Sequence, residues 1–397
     1  MSTLGLCMIV KNEAAIIEKC FDSVLPMIDY ILVCDTGSTD GTPQKVYEYL
    51  VRNKISGQVM HDPWRNFGFN RSRALKHMRA IPEVDYVLLM DADDEMVLPE
   101  NFNPELFKAE LKADLTFVHF ILGSVQYTRG VICSNKRKFI FRGVMHEFID
   151  GPPSGFSRAM ITGFHVKANS FISNRNQPSE DGTISHKFQK DAAVLEKAII
   201  DETDKFMIAR YHFYLAQCYI NAGAKYLEDA LKHYLIRTTC GFWPEEIYIS
   251  FYYAARIAKF LNHPYTEVVE LFLGACEVNP KRAEAWHGLA VYAREQGQYD
   301  FGYGAAFTGM QMEFDPDGLF GERWVYEYGV LDEFACHAYW CGKYQESISA
   351  CKQLLACPSL PEIDKERIMS NLQNAINVLA QTRGLSNEQC SRVPAVA

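Results

Sequence analysis

The first apolar run of the chain, Leu4–Val10, is short and unbroken. The next stretch, residues 13–25, changes to a helical period, with Ile16, Ile17, Cys20, Phe21 and Val24 falling on one face. Residues 30–34 form a second unbroken apolar run. The polar cluster Asp35-Thr36-Gly37-Ser38-Thr39-Asp40-Gly41-Thr42 follows it and can cap a helix over 43–52. Runs at 58–61 and 85–90 predict further strands, with a helix over 72–78 between them. Leu115–Leu122 and 138–142 read as strands as well. Strands that are apolar on both faces need cover on both sides, and they alternate here with helices. The pattern therefore predicts an α/β, Rossmann-like domain with a mostly parallel sheet.

From about residue 186 the period becomes helical to the end. Ala283-Glu284-Ala285-Trp286 with Leu289, Ala290, Gly297 and Tyr299 resembles one tetratricopeptide repeat: a helix, a glycine turn and a second helix. Ala275 and Pro280 stand where the preceding repeat would place them, and residues 211–234 and 332–355 echo the pattern. An all-α, tetratricopeptide-like domain over 186–397 is therefore expected behind an α/β domain over 1–185. Stacked hairpins of this kind present concave surfaces, so a protein partner or a second copy of the chain, as a homodimer, is the expected occupant. Residues 170–185, rich in Ser, Asn, Pro and Gly, read as a linker or as a loop over a site.

Composition narrows the function. Of 397 residues, 48% are hydrophobic and 22% charged, which lets each half bury a core. A net charge of −9 argues against nucleic acid as a partner. The apolar runs are too short for a signal peptide or a transmembrane segment, and the 12 cysteines include no Cys-x-x-Cys pair. A cytoplasmic protein with reduced thiols and no zinc site is expected.

Four constellations carry chemistry. Asp91-Ala92-Asp93-Asp94 stands directly after the strand over 85–90, at the end where open α/β sheets bind ligands. Crowded carboxylates raise one another's pKa, and a hard cation such as Mn²⁺ or Mg²⁺ would relieve the conflict. An isolated Asp-x-Asp is more often a solvated turn. Val10-Lys11-Asn12-Glu13 and Asp35 lie at the same sheet edge, where carboxylates can accept from a base or a ribose. Arg71 and Arg73 fall near a helix start, a setting suited to a diphosphate. His146-Glu147 offers a general base, and His165 a metal or phosphate ligand or simply a core histidine.

The order of these elements resembles family 2 glycosyltransferases of the GT-A fold: Met8 to Glu13, Asp35 to Thr42, Phe67 to Arg71, Met90 to Asp94, Gly143 to Glu147. The likeness covers about the first 165 residues, and the tetratricopeptide-like half fits a subgroup that carries such helices. It implies a metal-dependent glycosyltransferase that moves a sugar, with inversion, from a nucleotide-sugar donor to an acceptor hydroxyl. A UDP-sugar is the favoured donor, and the acceptor would be a carbohydrate or a protein. It further implies that Val10, Asn12, Glu13 and Asp35 hold the nucleoside and that Arg71 faces the diphosphate. Asp91 and Ala92 would contact the nucleotide sugar, Asp91 and Asp93 the metal, and Glu147 would act as catalytic base; His165, from its own chemistry, is a further candidate metal ligand. Two positions depart from the family pattern: Asp94 precedes Glu95 where many relatives have Asp-Ala-Asp-Glu, and Ser72 follows Arg71 where many have Asn. Two rival functions remain. One is a catalytically inactive nucleotide-binding scaffold. The other is a sugar nucleotidyltransferase, although those enzymes carry a glycine-rich loop where this chain has Lys11-Asn12-Glu13.

Overall fold

The computed structural model describes residues 2–123, 125–169, 185–316 and 318–382. The stretch 170–184, expected as a linker or loop, lies outside them. The chain divides into two compact units, Met1–Ile200 and Asp201–Ala397. Among the described residues no helix is long and apolar enough to cross a membrane.

The first unit is built on an eight-stranded sheet in the order β3-β2-β1-β4-β7-β6-β10-β5. Its parallel half consists of β1 (Leu4–Val10), β2 (Tyr30–Asp35), β3 (Ser56–His61) and β4 (Tyr86–Leu89). All but the edge strand β3 are apolar runs of the sequence, and Leu4, Leu6, Ile31, Leu32, Val87 and Leu88 are fully enclosed. The helices α1 (Ile17–Val24), α2 (Thr42–Asn53) and α3 (Phe67–Arg79) connect them, and α3 packs across β1 and β2. Beyond β4 the sheet turns mixed. The long strand β7 (Val125–Ser134) runs antiparallel to β4 and to β6 (Leu115–Leu122). Strand β10 (Arg158–Lys167) is parallel to β6 and closes on β5 (Glu95–Val97), after which α4 (Pro104–Glu110) crosses towards β6. A separate ribbon pairs β8 (Ile140–Arg142) with β9 (Phe148–Asp150). The helix α5 (Ser185–Asp201) follows; the division after Ile200 groups it with this unit, whereas the change of period at 186 pointed to the second.

The first helix begins four residues later than its apolar period suggests. The amides of Asn12, Glu13 and Ala14 donate to Ser38 Oγ (2.8 Å), Thr42 Oγ1 (2.9 Å) and Asp40 Oδ2 (3.0 Å). Side chains of the next loop thus take the N–H groups that would otherwise open the helix.

The second unit stacks helical hairpins: α6 (Lys205–Ala222) with α7 (Leu227–Thr239), α8 (Pro244–Phe260) with α9 (Tyr265–Val278), α10 (Glu284–Glu295) with α11 (Tyr299–Gly309), and α12 (Val330–Trp340) with α13 (Tyr344–Ala356). Helix α14 (Glu362–Thr382) follows. The three hairpins expected from the sequence are present, with Gly223, Gly297 and Gly342 at positive φ in their turns. The α8–α9 hairpin carried no glycine signal because Asn262 (φ 60°) makes its turn. Buried ion pairs join successive hairpins. Glu246 accepts from Arg210 (2.9 Å) and Arg237 (3.1 Å), and Arg282 grips Glu284 (2.9 Å), whose other oxygen accepts from Tyr326 (2.9 Å).

His212 and His233 stack within the α6–α7 hairpin with Nδ1 atoms 2.8 Å apart. Only one proton fits between the two nitrogens. Burial, reinforced by His233, pushes His212 down to about 4 from the usual 6.5. The unfolded chain therefore binds more protons than the folded one across that window, and stability falls as pH drops through it. The thermal midpoint of the helical unit is expected to decline between pH 6.5 and 4.5, and His212→Phe should decline less. Equal declines in circular-dichroism melts would remove the histidine pair as the cause.

Candidate active site

At the carboxyl ends of β1, β2 and β4 opens a cleft of about 610 Å³. Val10, Glu13, Arg71, Asp91, Ala92 and Asp93 line it, so six of the residues singled out in the sequence meet there. Lys11, Thr36, the run from Trp64 to Phe67, Val144 and Met145 join them, as do Asp191 and Val194 one turn apart on α5.

Arg71 is the hub. It is 8% exposed, on the second turn of α3. Its Nε donates to Glu147 Oε1 (2.6 Å) and its Nη2 to Asp91 Oδ1 (2.5 Å). Burial works against its charge, but Asp91 and Glu147 outweigh burial and raise its pKa. Asp91 is likewise disfavoured by burial, yet Arg71 and then Arg129, 3.4 Å away on β7, hold it at about 2. The guanidiniums are outweighed at the next carboxyls. Burial, with Asp91 and Asp93 added, pushes Asp94 up to about 8, and burial and Asp91 raise Asp93. Asp94 is 6% exposed and sits inside the turn, its amide donating to Asp91 O (3.1 Å). Asp93 faces the cleft with no hydrogen bond to another described residue. Among the described residues no three His, Cys, Asp or Glu side chains gather as a metal cage. Asp93 beside Asp91, with raised carboxyls around them, nevertheless fits a Mg²⁺ or Mn²⁺ ion that takes its other oxygens from a diphosphate and water.

Other expected residues stand elsewhere. Asp35 is 3% exposed and accepts from the amides of Gly37 and Ser38 (3.2 Å each), fixing the loop rather than lining the cleft. Asn12 Oδ1 accepts from Thr39 N (2.7 Å). His165 pairs on β10 with Val97, four residues past Asp93, and is not on the cleft wall. Glu147 is tied to Arg71 and is also off the wall. Arg73 binds Asp62 (2.7 Å), away from any diphosphate position. The amino end of α3 was expected to offer N–H groups to phosphate, but they are spent. Phe67 and Gly68 donate to Val144 O (3.2 Å) and Gly143 O (3.1 Å), and Phe69 to Asn66 Oδ1 (2.8 Å). Ser72, where many relatives have Asn, exchanges hydrogen bonds with the main chain of Phe141 (2.8 and 3.1 Å) and so moors the β8–β9 ribbon. Arg129 and Asp191 were not found from sequence, since neither lies in a motif and only strand pairing and the placement of α5 bring them here.

Residues 6–164 match the model of glycosyl transferase family 2. A tetratricopeptide repeat-containing protein of Synechococcus elongatus is 28% identical over 164 residues, covering 38% of this chain and 36% of the relative. Uncharacterized glycosyltransferases of Rickettsia bellii (33% identity, 22% of this chain, 26% of the relative) and Rickettsia prowazekii (24%, 47% and 54%) also match. The matches thus span from about a quarter to about half of these relatives' lengths. Among solved structures, a tetratricopeptide repeat protein of Parabacteroides merdae aligns at TM-score 0.36 and 13% identity, over 51% of this chain and 75% of that one. At that score the likeness adds nothing to the hairpins described above.

A Cβ at Gly68 would lie 2.3 Å from Gly143 O. Gly68→Ala should therefore push α3 off the 143–147 loop and loosen the Arg71–Glu147 pair, lowering stability by about 1–3 kcal/mol. A denaturant midpoint equal to wild type would show that the contact is not tight.

Proposed function

We propose that this protein is a metal-dependent glycosyltransferase that moves a sugar from a nucleoside-diphosphate sugar to an acceptor hydroxyl with inversion. The observation that carries this reading is the juxtaposition of Arg71 with Asp91 and Asp93 in the cleft at the end of β4. Within a family 2 domain that is a place for a diphosphate. Asp93, with Asp91, would hold Mn²⁺ or Mg²⁺, which supplies charge neutralisation for the departing nucleoside diphosphate. Arg71 is aimed before substrate arrives, so its charge meets the leaving group without a reorganisation cost. The buried Glu147 fixes that aim. Because Glu147 Oε1 is bound to the guanidinium and Glu147 is off the cleft wall, we read it as positioning Arg71 rather than as the base. Of the carboxylates on the wall, Glu13 is assigned to the nucleoside, Asp91 is held by two guanidiniums and Asp93 is assigned to the cation. Asp191 on α5 is then the one to test as proton acceptor.

The nucleotidyltransferase alternative meets a specific obstacle. Such an enzyme would use main-chain amides after β1 to cradle phosphate, and here those of Asn12, Glu13 and Ala14 are taken by Ser38, Thr42 and Asp40. We read the helical unit as a surface for a protein partner or a second copy.

Asp93→Ala should reduce transfer from a panel of nucleotide sugars with Mn²⁺ by at least 100-fold while the fold is kept; full activity would end the metal assignment. Glu147→Gln should raise the donor KM more than it lowers kcat, and Asp191→Asn the reverse, with the acidic limb of the pH profile altered only in Asp191→Asn. Loss of kcat alone in Glu147→Gln would restore it as the base.

A further inference from the structure

We propose that Trp64 is the platform on which the donor's nucleobase stacks, a statement that rests on the nucleotide-sugar reading above. Trp64 is 45% exposed on the cleft wall, in the loop between β3 and α3. A large apolar ring left half in water is costly unless something covers it.

The loop that carries it is fastened at both ends. The side chain of Asn70, which is fully buried, donates to Pro63 O (3.1 Å) and accepts from the amides of Arg65 (2.9 Å) and Asn66 (3.3 Å). On the other side Asp62 N donates to Asp35 O (2.9 Å), while the Asp62 carboxylate is held by Arg73 and His77 (2.8 and 2.9 Å). The indole meets Phe67 in a T-shaped contact, 4.7 Å between centroids, which leaves at least one indole face uncovered by it. The ring is thus presented in a fixed orientation rather than folded against the core.

Strand order says which part of the donor arrives there. The diphosphate is anchored at Asp93 and Arg71, beyond β4. On one side β7 pairs with β4 only through residues 132–134 and runs on past its end, and Arg129 from that extension reaches back to Asp91. That side is walled. On the other side the ends of β1, β2 and β3 follow in order, presenting Val10, Thr36 and Trp64. Neighbouring strands are about 4.8 Å apart, so β3 ends about 14 Å from the acidic turn. This is comparable to an extended nucleoside diphosphate. A donor held by its phosphates therefore runs past Val10 and Thr36 and lays its base against Trp64. Stacking accepts any base, so the contact sets affinity for a nucleoside more than the choice among nucleosides.

The test uses the full chain with Mn²⁺ and titrates UDP, GDP, CDP, ADP and inorganic pyrophosphate into wild type, Trp64→Ala and Trp64→Phe. Trp64→Ala should weaken the best-bound nucleoside diphosphate by roughly 10- to 100-fold. Pyrophosphate should stay within about twofold, because the phosphate anchor is untouched. Trp64→Phe should keep most of the affinity, yet lose the quenching of indole emission that the nucleotide causes in wild type. Unchanged nucleotide binding by Trp64→Ala overturns the inference alone, including the case where only acceptor turnover suffers. So does an equal loss on pyrophosphate. A wild type that binds none of the four nucleotides overturns the nucleotide-sugar reading, and this inference with it. Unchanged thermal unfolding of both variants checks that the loop, not the fold, is being measured.

Discussion

A guanidinium buried to 8% exposure needs opposite charges within reach, or its desolvation goes uncompensated. Arg71 has two, and they come from places far apart in sequence: the turn after β4 and the loop before β9. The pair of ion contacts draws together α3, the acidic turn and the 143–147 loop. The latter also accepts the first two amides of α3. Removing either carboxylate would leave a buried charge half paired.

The same arrangement divides the labour among the three aspartates of the turn. Asp91, beside two guanidiniums, stays ionised at about 2, while Asp94, enclosed behind it, is pushed up to about 8. Asp91 and Asp93 are the two that face the cleft. One strand over, the hydroxyls and carboxylates of residues 35–42 are consumed in bonding the β1–α1 turn. The cleft wall beside them is formed by Val10, Thr36 and Trp64.

In the helical unit the buried charges serve packing. Glu246 between Arg210 and Arg237, and Glu284 between Arg282 and Tyr326, each tie a helix to its neighbours across hairpin boundaries. Paired in this way they fix which helix meets which, a constraint that small apolar contacts alone leave loose.

Much of this was legible in the residues themselves. The apolar runs located β1, β2, β4 and β6, because a strand enclosed by the core has little freedom to be polar. The glycine turns located three of the four hairpins, because positive φ is expensive for other residues, and the fourth was hidden by Asn262. The order of motifs pointed to family 2 and gathered Val10, Glu13, Arg71, Asp91, Ala92 and Asp93 in one place. What the sequence left open were relations between residues that no spacing encodes. That α3 spends its free amides on Gly143 and Val144, that Glu147 answers to Arg71, that Arg129 reaches Asp91 from β7 and that His165 pairs far along β10 are products of strand order and register. Local pattern fixes which side chains must be buried. Only closure of the sheet and the docking of its loops decides which buried charges meet.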